Sequence, residues 1–317
     1  MNFRAIIAAV AWIALGAGAQ AQLQPLTKII VPYAPGGSTD LISRLLADHI
    51  QRNNPGKQFI IENRPGAGAV IGTEAVFRAP PDGATIGIVA NSFLINSHIK
   101  KLAYDPLTNF EPLCHLIDSP QIIVVNAKSP YKTLDDFLSE VRRNPGKHSI
   151  ASLGPATTQH VAVAMFLKTA KIELNYVPFT GGAPTTNALL GGHVTSIIGN
   201  YSEIEPQITA GELRVLATTN PTRIAPLPDV PTVRELGLDF EVTAWFALVA
   251  TGKTPPPVVA SLIDAFSSAM KNPEILAKLD KLQLYPVNRC GEDFGTFLKQ
   301  QALITEKVVK EAGIKGD

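Results

Sequence analysis

The sequence predicts an α/β protein in which parallel sheets are covered by helices, with enough chain for two lobes. Three observations carry that expectation. Short β-branched runs alternate with stretches of helical period, the pattern of strand and helix units that build parallel sheets. Glycine, proline and hydroxyl residues punctuate the joints, as the turns between such elements require. The 317 residues, 45% of them hydrophobic, are more than a single core usually holds.

Residues 1–21 read as an export signal. Arg4 is a positive n-region, Ala5 to Leu15 an apolar h-region, and Ala19-Gln20-Ala21 a small-x-small cleavage site, so cleavage is expected after about Ala21. The apolar run is short for a bilayer, and no cysteine follows the cut to carry a lipid. Once Arg4 leaves, the balance of 28 basic against 27 acidic residues becomes even. A neutral chain without a basic block is a poor candidate for binding nucleic acid, so no nucleic-acid partner is expected.

The stretch Ile29 to Ile50 is strand, loop and helix. Ile29 to Val31 ends at Pro32, and apolar residues return at 41, 42, 45, 46 and 50, the helical spacing. In the loop, Gly36 and Gly37 permit unusual backbone angles, while Ser38, Thr39 and Asp40 are helix-capping types and Arg44 can pair with Asp40 one turn on. Two readings fit. One is an ordinary capped turn; the other is a cradle whose free amide N–H groups hold a carboxylate or phosphate.

Further strands are expected at Phe59–Ile61, Thr85–Ala90, Gln121–Val125, His148–Ala151, Asn175–Val177, Val194–Ile198 and Arg214–Thr218, with helices at Thr133–Arg143, Val161–Lys168 and Pro184–Leu190. After Thr219, Pro221, Pro226, Pro228 and Pro231 mark an extended connection over the surface. The chain closes with three helical patterns, Val258–Met270, Pro273–Leu282 and Glu292–Ala312.

Val177-Pro178-Phe179 followed by Gly181-Gly182 echoes Val31-Pro32-Tyr33 followed by Gly36-Gly37. Each ends a predicted strand and opens a helix, so the two could face each other across a cleft at the carboxyl ends of strands. Two more loops, Asn63 to Ala69 and Ser152 to Thr158, have the same small-residue character, and Ser152, Thr157 and Thr158 add hydroxyls.

Catalytic signatures do not accompany these loops. Gly66-Ala67-Gly68 has its third glycine at 72, not 71, so it is no dinucleotide fingerprint. Ser38 lacks the flanking glycine of a nucleophile elbow. The six histidines are scattered without metal-ligand spacing, and His160 alone is a possible cleft residue. Amides, hydroxyls and aromatics hold a molecule without transforming it. Cys114 and Cys290 are either one disulfide or two buried thiols.

Taken together, Val31-Pro-Tyr-Ala-Pro-Gly-Gly-Ser-Thr-Asp40 with Arg44, Glu62-Asn-Arg-Pro-Gly-Ala-Gly68, Val177-Pro-Phe-Thr-Gly-Gly182, Leu189-Leu-Gly-Gly192 and Leu227-Pro-Asp-Val-Pro-Thr232 with Glu235 and Gly237 closely resemble the Bug receptors. These are the periplasmic substrate-binding proteins of tripartite tricarboxylate transporters. The resemblance implies a two-lobed Venus-flytrap fold of type II, each lobe a mainly parallel sheet flanked by helices. It implies a monomer in the periplasm that closes on a small carboxylate and delivers it to membrane permease subunits, with no catalysis, cofactor or metal. Lobe 1 would comprise residues 22–120 plus 246–317 and lobe 2 residues 121–245, with crossings near Ile117–Gln121 and Thr243–Ala250. Cys114 and Cys290 then share lobe 1, which favours the disulfide.

Carried over by position, the family's ligand contacts fall on Tyr33, Gly36, Gly37, Ser38 and Asp40, then Ala67 and Gly68. Facing them would be Ser152, Thr157, Thr158, Phe179 and Thr180, with Tyr33 and Phe179 against the ligand's carbon skeleton. Asp40 is awkward beside an anion and reads as a cap bonded to its own loop. The family's usual Gly-Gly-x-Val-Asp block has Thr195 here; if that acid meets an amino group, this ligand lacks one. Asn200, at the end of the same strand, would supply a neutral contact. The rival expectations are an exported hydrolase or isomerase on the same fold, and a sensor accessory protein.

Overall fold

The computed structural model describes residues 23–314, so the expected signal segment lies outside the described residues. The chain runs β1 (Leu26–Val31), α1 (Ser38–Asn53), β2 (Gln58–Asn63), α2 (Val70–Phe77), β3 (Thr85–Ala90), α3 (Ser92–Ile99), β4 (Phe110–Asn126) and α4 (Leu134–Arg143). It continues through β5 (Ser149–Leu153), α5 (Thr158–Ala170), β6 (Asn175–Phe179), α6 (Gly182–Leu190), β7 (Ser196–Asn200), α7 (Tyr201–Thr209) and β8 (Leu213–Thr218). After a long irregular segment come β9 (Thr243–Thr251), α8 (Pro256–Met270), α9 (Pro273–Lys281), β10 (Tyr285–Cys290) and α10 (Glu292–Ala312).

Strand β4 belongs to both lobes. Residues 110–120 pair with β9, and residues 121–126 pair with β7 and β8. The strand order is β2-β1-β3-β9-β4-β7-β5-β6, with β10 and β8 also on β4. Each lobe has a parallel trio, β2-β1-β3 and β7-β5-β6. The strands around β4 are antiparallel, so the sheets are mixed, a departure from the mainly parallel expectation. The reason is topological: β4 leaves lobe 1 and β9 returns to it, so the two run in opposite directions side by side.

Strand alternation divides each lobe's core between two faces. Ile29 and Val31 pack with Ile42, Leu46 and Phe266 on one face of β1, whereas Ile30 packs with Phe93, Phe110 and Phe294 on the other. In lobe 2, Ile123 and Val125 of β4 face Phe137 and Phe166, while Ile122 and Val124 face Leu189 and Ile204. Helix α10 ties the lobes together. Its Phe294 and Leu298 are buried in lobe 1, its Val309 in lobe 2, and Lys168 Nζ donates to the Glu311 carbonyl at 2.7 Å.

The segment between Thr219 and Val242 departs from the surface connection expected of its prolines. It contains no helix or extended strand, but Val233, Leu238, Phe240 and Val242 are buried in the lobe 2 core. Proline spacing excludes helices without requiring exposure. Cys114 on β4 and Cys290 on β10 are register partners joined by a disulfide.

Candidate functional site

The loop after β1 is built to leave amides free. Gly36 takes a left-handed φ of +87°, and Gly37, the N-cap of α1, offers no side chain to the first turn, so early N–H groups lack capping partners. Asp40 works from inside. Its buried carboxylate accepts from the Gly36 amide at 3.0 Å, from Asn63 Nδ2 at 3.0 Å and from Arg44 Nε at 3.0 Å. Burial acts to raise its pKa, but the Arg44 guanidinium and the two amide donors outweigh that and hold it below the usual carboxylate range. Asp40 therefore straps the loop to α1 and β2. The capping types Ser38 and Thr39 are already helical residues behind the Gly37 cap.

Tyr33 packs its half-buried ring against the lobe 1 core and bonds its hydroxyl to Ser92 Oγ on α3. Burial pushes that hydroxyl up to about 12, so it stays neutral. The second loop is a run of positive φ values, Gly66 (+131°), Ala67 (+50°), Gly68 (+65°) and Ala69 (+78°). For two alanines this is a sparsely populated conformation, of the kind that functional sites store. Asn96 Nδ2 donates to the Gly68 carbonyl at 2.7 Å and Lys100 Nζ to the Ala67 carbonyl at 2.9 Å, which fixes the loop from the α3 side.

Across the cleft, several expected contacts are engaged within lobe 2. Thr157 caps α5, accepting from the His160 amide at 3.2 Å and donating to the Gly154 carbonyl at 2.9 Å. Ser152, fully buried, donates to the Leu153 carbonyl and touches Tyr176. Phe179 packs in the lobe core and Thr180 is exposed. His160 stacks on Tyr176 at 5.0 Å, and burial lowers its pKa, so it is a neutral packing residue. Thr195 lies at the opposite end of β7 from Asn200, exchanging bonds with Ser149 at 3.1 and 3.2 Å. At about 3.3 Å per strand residue, it stands a full strand length from Asn200.

Besides the α10 tie, the cleft loops of the two lobes approach each other at Gly68 and at Ser38. Gly68 lies so close to the loop before α5 that a Cβ there would be 3.2 Å from the Pro155 carbonyl and 3.3 Å from the Ala156 Cβ. The second meeting is at Ser38, whose hydroxyl donates to Glu203 Oε1 at 3.1 Å and contacts Ser202 Oγ at 3.2 Å, with the Ser38 amide also directed at Oε1. Ser119 of β4 contacts the same Ser202 hydroxyl. Glu203, absent from the sequence-based set, reaches from the first turn of α7 to the N-terminus of α1.

Asn200 holds Glu203 in place. Its Nδ2 donates to Glu203 Oε1 at 2.8 Å, while its own carbonyl accepts from Gln121 Nε2 and from Gln159 Nε2 at 3.0 Å. Asn200 is only 4% exposed, and its amide is engaged with Glu203, Gln121 and Gln159. The echo loops do converge: Gly37, the N-cap of α1, approaches Glu203 Oε1, and a Cβ on Gly182, in the first turn of α6, would collide with Oε2. A separate cavity of about 610 Å³ lies on the α10 side of the hinge, lined by residues that include Asp118, Thr158, Trp245 and Phe297; Thr158 is the one expected ligand contact on its wall. Among the described residues the Ser38 hydroxyl bonds Glu203 and Ser202 and no histidine.

A family model described as tripartite tricarboxylate transporter family receptor matches residues 42–314. A Cupriavidus necator protein named "UPF0065 protein in gbd 5'region" is 32% identical over 98% of this chain and 95% of its own length. The structure of the periplasmic binding protein BugD is similar with a TM-score of 0.85 at 30% identity, covering 92% of this chain and 98% of that one. A protein of R. palustris solved with adipate is similar with a TM-score of 0.86 at 28% identity, over 92% and 98% of the two chains.

Proposed function

The chain belongs to the receptor family of tripartite tricarboxylate transporters, and from that premise we propose that the loops at 33–40 and 66–69 hold the carboxylate of a small ligand while lobe 2 closes over it. The protein is a periplasmic solute-binding receptor and not an enzyme. The observation that carries the ligand assignment is the seat of the Glu203 carboxylate. It rests on the Ser38 amide and hydroxyl between the N-termini of α1 and α6, where helix ends favour negative charge. A ligand carboxylate would meet the same donors.

Ligand bridging then shifts the population from open to closed, because only the closed form offers both sets of contacts. In this reading the lobes are residues 22–120 plus 246–317 and 121–245. The signal segment is removed after about Ala21, and the closed monomer delivers its ligand to membrane permease subunits. Relatives lend support, since the R. palustris protein was solved with adipate.

The test is a thermal-shift screen of residues 22–317, after denaturant stripping and refolding, against mono-, di- and tricarboxylates, amino acids and aromatic acids. A ligand at a hundred times its Kd adds about 2.7 kcal/mol. A family of related acids raising the melting temperature is the expected result. A stripped, refolded protein that responds to none of them would overturn the carboxylate reading.

A further inference from the structure

We infer that Glu203 sets the charge of the ligand, and that the cleft selects a carboxylate that also carries an ammonium group over a dicarboxylate of the same length. The inference rests on the carboxylate-receptor reading above and narrows it to a substrate class.

Glu203 is an uncompensated acid between the two loops. Its donors are the Ser38 amide and hydroxyl and Asn200 Nδ2, all neutral, and among the described residues it has no cationic partner. The neighbouring acids differ. Asp40 is paired with Arg44 at 2.9 Å, and Glu62 with Lys28 at 2.7 Å and with Arg64. The charge at 203 is held where it is: Asn200 fixes Oε1 and is itself fixed by Gln121 of the hinge strand and Gln159 of α5.

A ligand carboxylate that takes the Ser38 donors must move Glu203 Oε1 off them. Two carboxylates then lie a few ångströms apart among neutral donors and repel each other. A second carboxylate on the ligand adds to that repulsion. An ammonium group removes it, because it gives Glu203 an opposite charge and replaces the hydrogen bonds lost from Ser38. The Lys100 amine is engaged by the Ala67 carbonyl and holds the lobe 1 loop, where the reading above seats the ligand carboxylate. The cleft thus sets an uncompensated acid of lobe 2 opposite the carboxylate seat of lobe 1, an arrangement that suits a ligand with one charge of each sign.

The experiment is titration calorimetry with the mature protein and with Glu203→Gln, using pairs matched in length: glutamate with glutarate, 4-aminobutyrate with succinate, and 4-(aminomethyl)benzoate with terephthalate. In the wild type the amino member of the pair that binds should be at least tenfold tighter. In Glu203→Gln that preference should fall at least tenfold, through weaker binding of the amino acid and tighter binding of the diacid. Unliganded melting temperatures confirm that both proteins fold, and Glu203→Asp, which keeps the charge, should keep the sign of the preference. A wild type that prefers diacids, or a preference unchanged in Glu203→Gln, overturns the inference and leaves the carboxylate reading standing. Binding of neither member of any pair, with the broader screen also silent, overturns that reading itself.

Discussion

The loops at 31–40 and 177–182 begin alike and end differently. Both leave a strand through Val-Pro-aromatic, and both enter a helix through a glycine N-cap without a side-chain cap. The first is strapped by Asp40, Arg44 and Asn63, and Ser38, Thr39 and Asp40 are buried. Among the described hydrogen bonds the second has no such strap, and residues 180, 183 and 184 are exposed. Its neighbouring acid is Glu203, which has no counterion among the described residues. One motif therefore makes a preorganised cradle in lobe 1 and a more open lip in lobe 2, and the side chains beyond the motif decide which.

The largest expected effect would break this asymmetry outright. A Cβ on Gly37 meets only ordinary contacts, 3.9 Å from the Ala34 carbonyl and Glu203 Oε1, so Gly37→Leu should fold but fill the gap. Calorimetry should show carboxylate affinity reduced more than about a hundredfold, equivalent to 2.7 kcal/mol or more. Gly181→Leu should lose less than about tenfold, since its nearest neighbour is Pro184 at 3.7 Å and the lip is open to solvent. Equal losses would make the loops equivalent.

The contrast extends to the lobes. Replacing both Cys114 and Cys290 by alanine should cost about 2–4 kcal/mol in urea unfolding and leave affinity unchanged, because the bond joins β4 to β10, neither of which carries a loop residue.

Asp40→Asn should cost about 2 kcal/mol at pH 7, as expected for buried bonds to a charged group, and weaken binding through a slack loop. Because the folded Asp40 has a depressed pKa, its stabilisation is fully present above the unfolded value of about 3.9 and is lost as pH falls through the folded value. The gap between wild type and variant should therefore shrink below about pH 4, followed by unfolding curves at pH 7 and pH 3. The smallest effect sharpens the comparison further. Gly36→Ala should lose about 1 kcal/mol because its φ is +87°, whereas Gly181→Ala, with extended backbone at −174°, should lose almost nothing.

Much of this was legible. Strands bounded by glycine and proline, such as Thr85–Ala90 and Asn175–Val177, and helices of sustained period, such as Glu292–Ala312, were expected nearly at their observed limits. β9 was hidden because Ala244 to Thr251 are all buried, so no alternation marks it as a strand. The first half of β4 was missed for the same reason, as Leu113 to Ile117 are buried on both faces.

At the site, the backbone loops were readable because glycine announces its conformational use, and the side chains were not. Ser152 and Thr157 look like free hydroxyls in sequence, yet both bond their own lobe. Glu203 looks like an ordinary acid in the first turn of a helix, where it suits the dipole. Its partner Ser38 lies 165 residues away, and no local pattern can reveal that pairing.

The shared strand also fixes an order in time. Strands β5 to β8 and the second half of β4 all fall between residues 121 and 218, whereas lobe 1 needs β9, β10 and α8 to α10 and a disulfide partner 176 residues beyond Cys114. A chain crossing a membrane from its N-terminus delivers β1 to β3 first but cannot finish their sheet until the last segment arrives. The lobe whose strands emerge first is the lobe whose sheet is closed last, and until then Cys114 is a waiting thiol and β3 a bare strand edge.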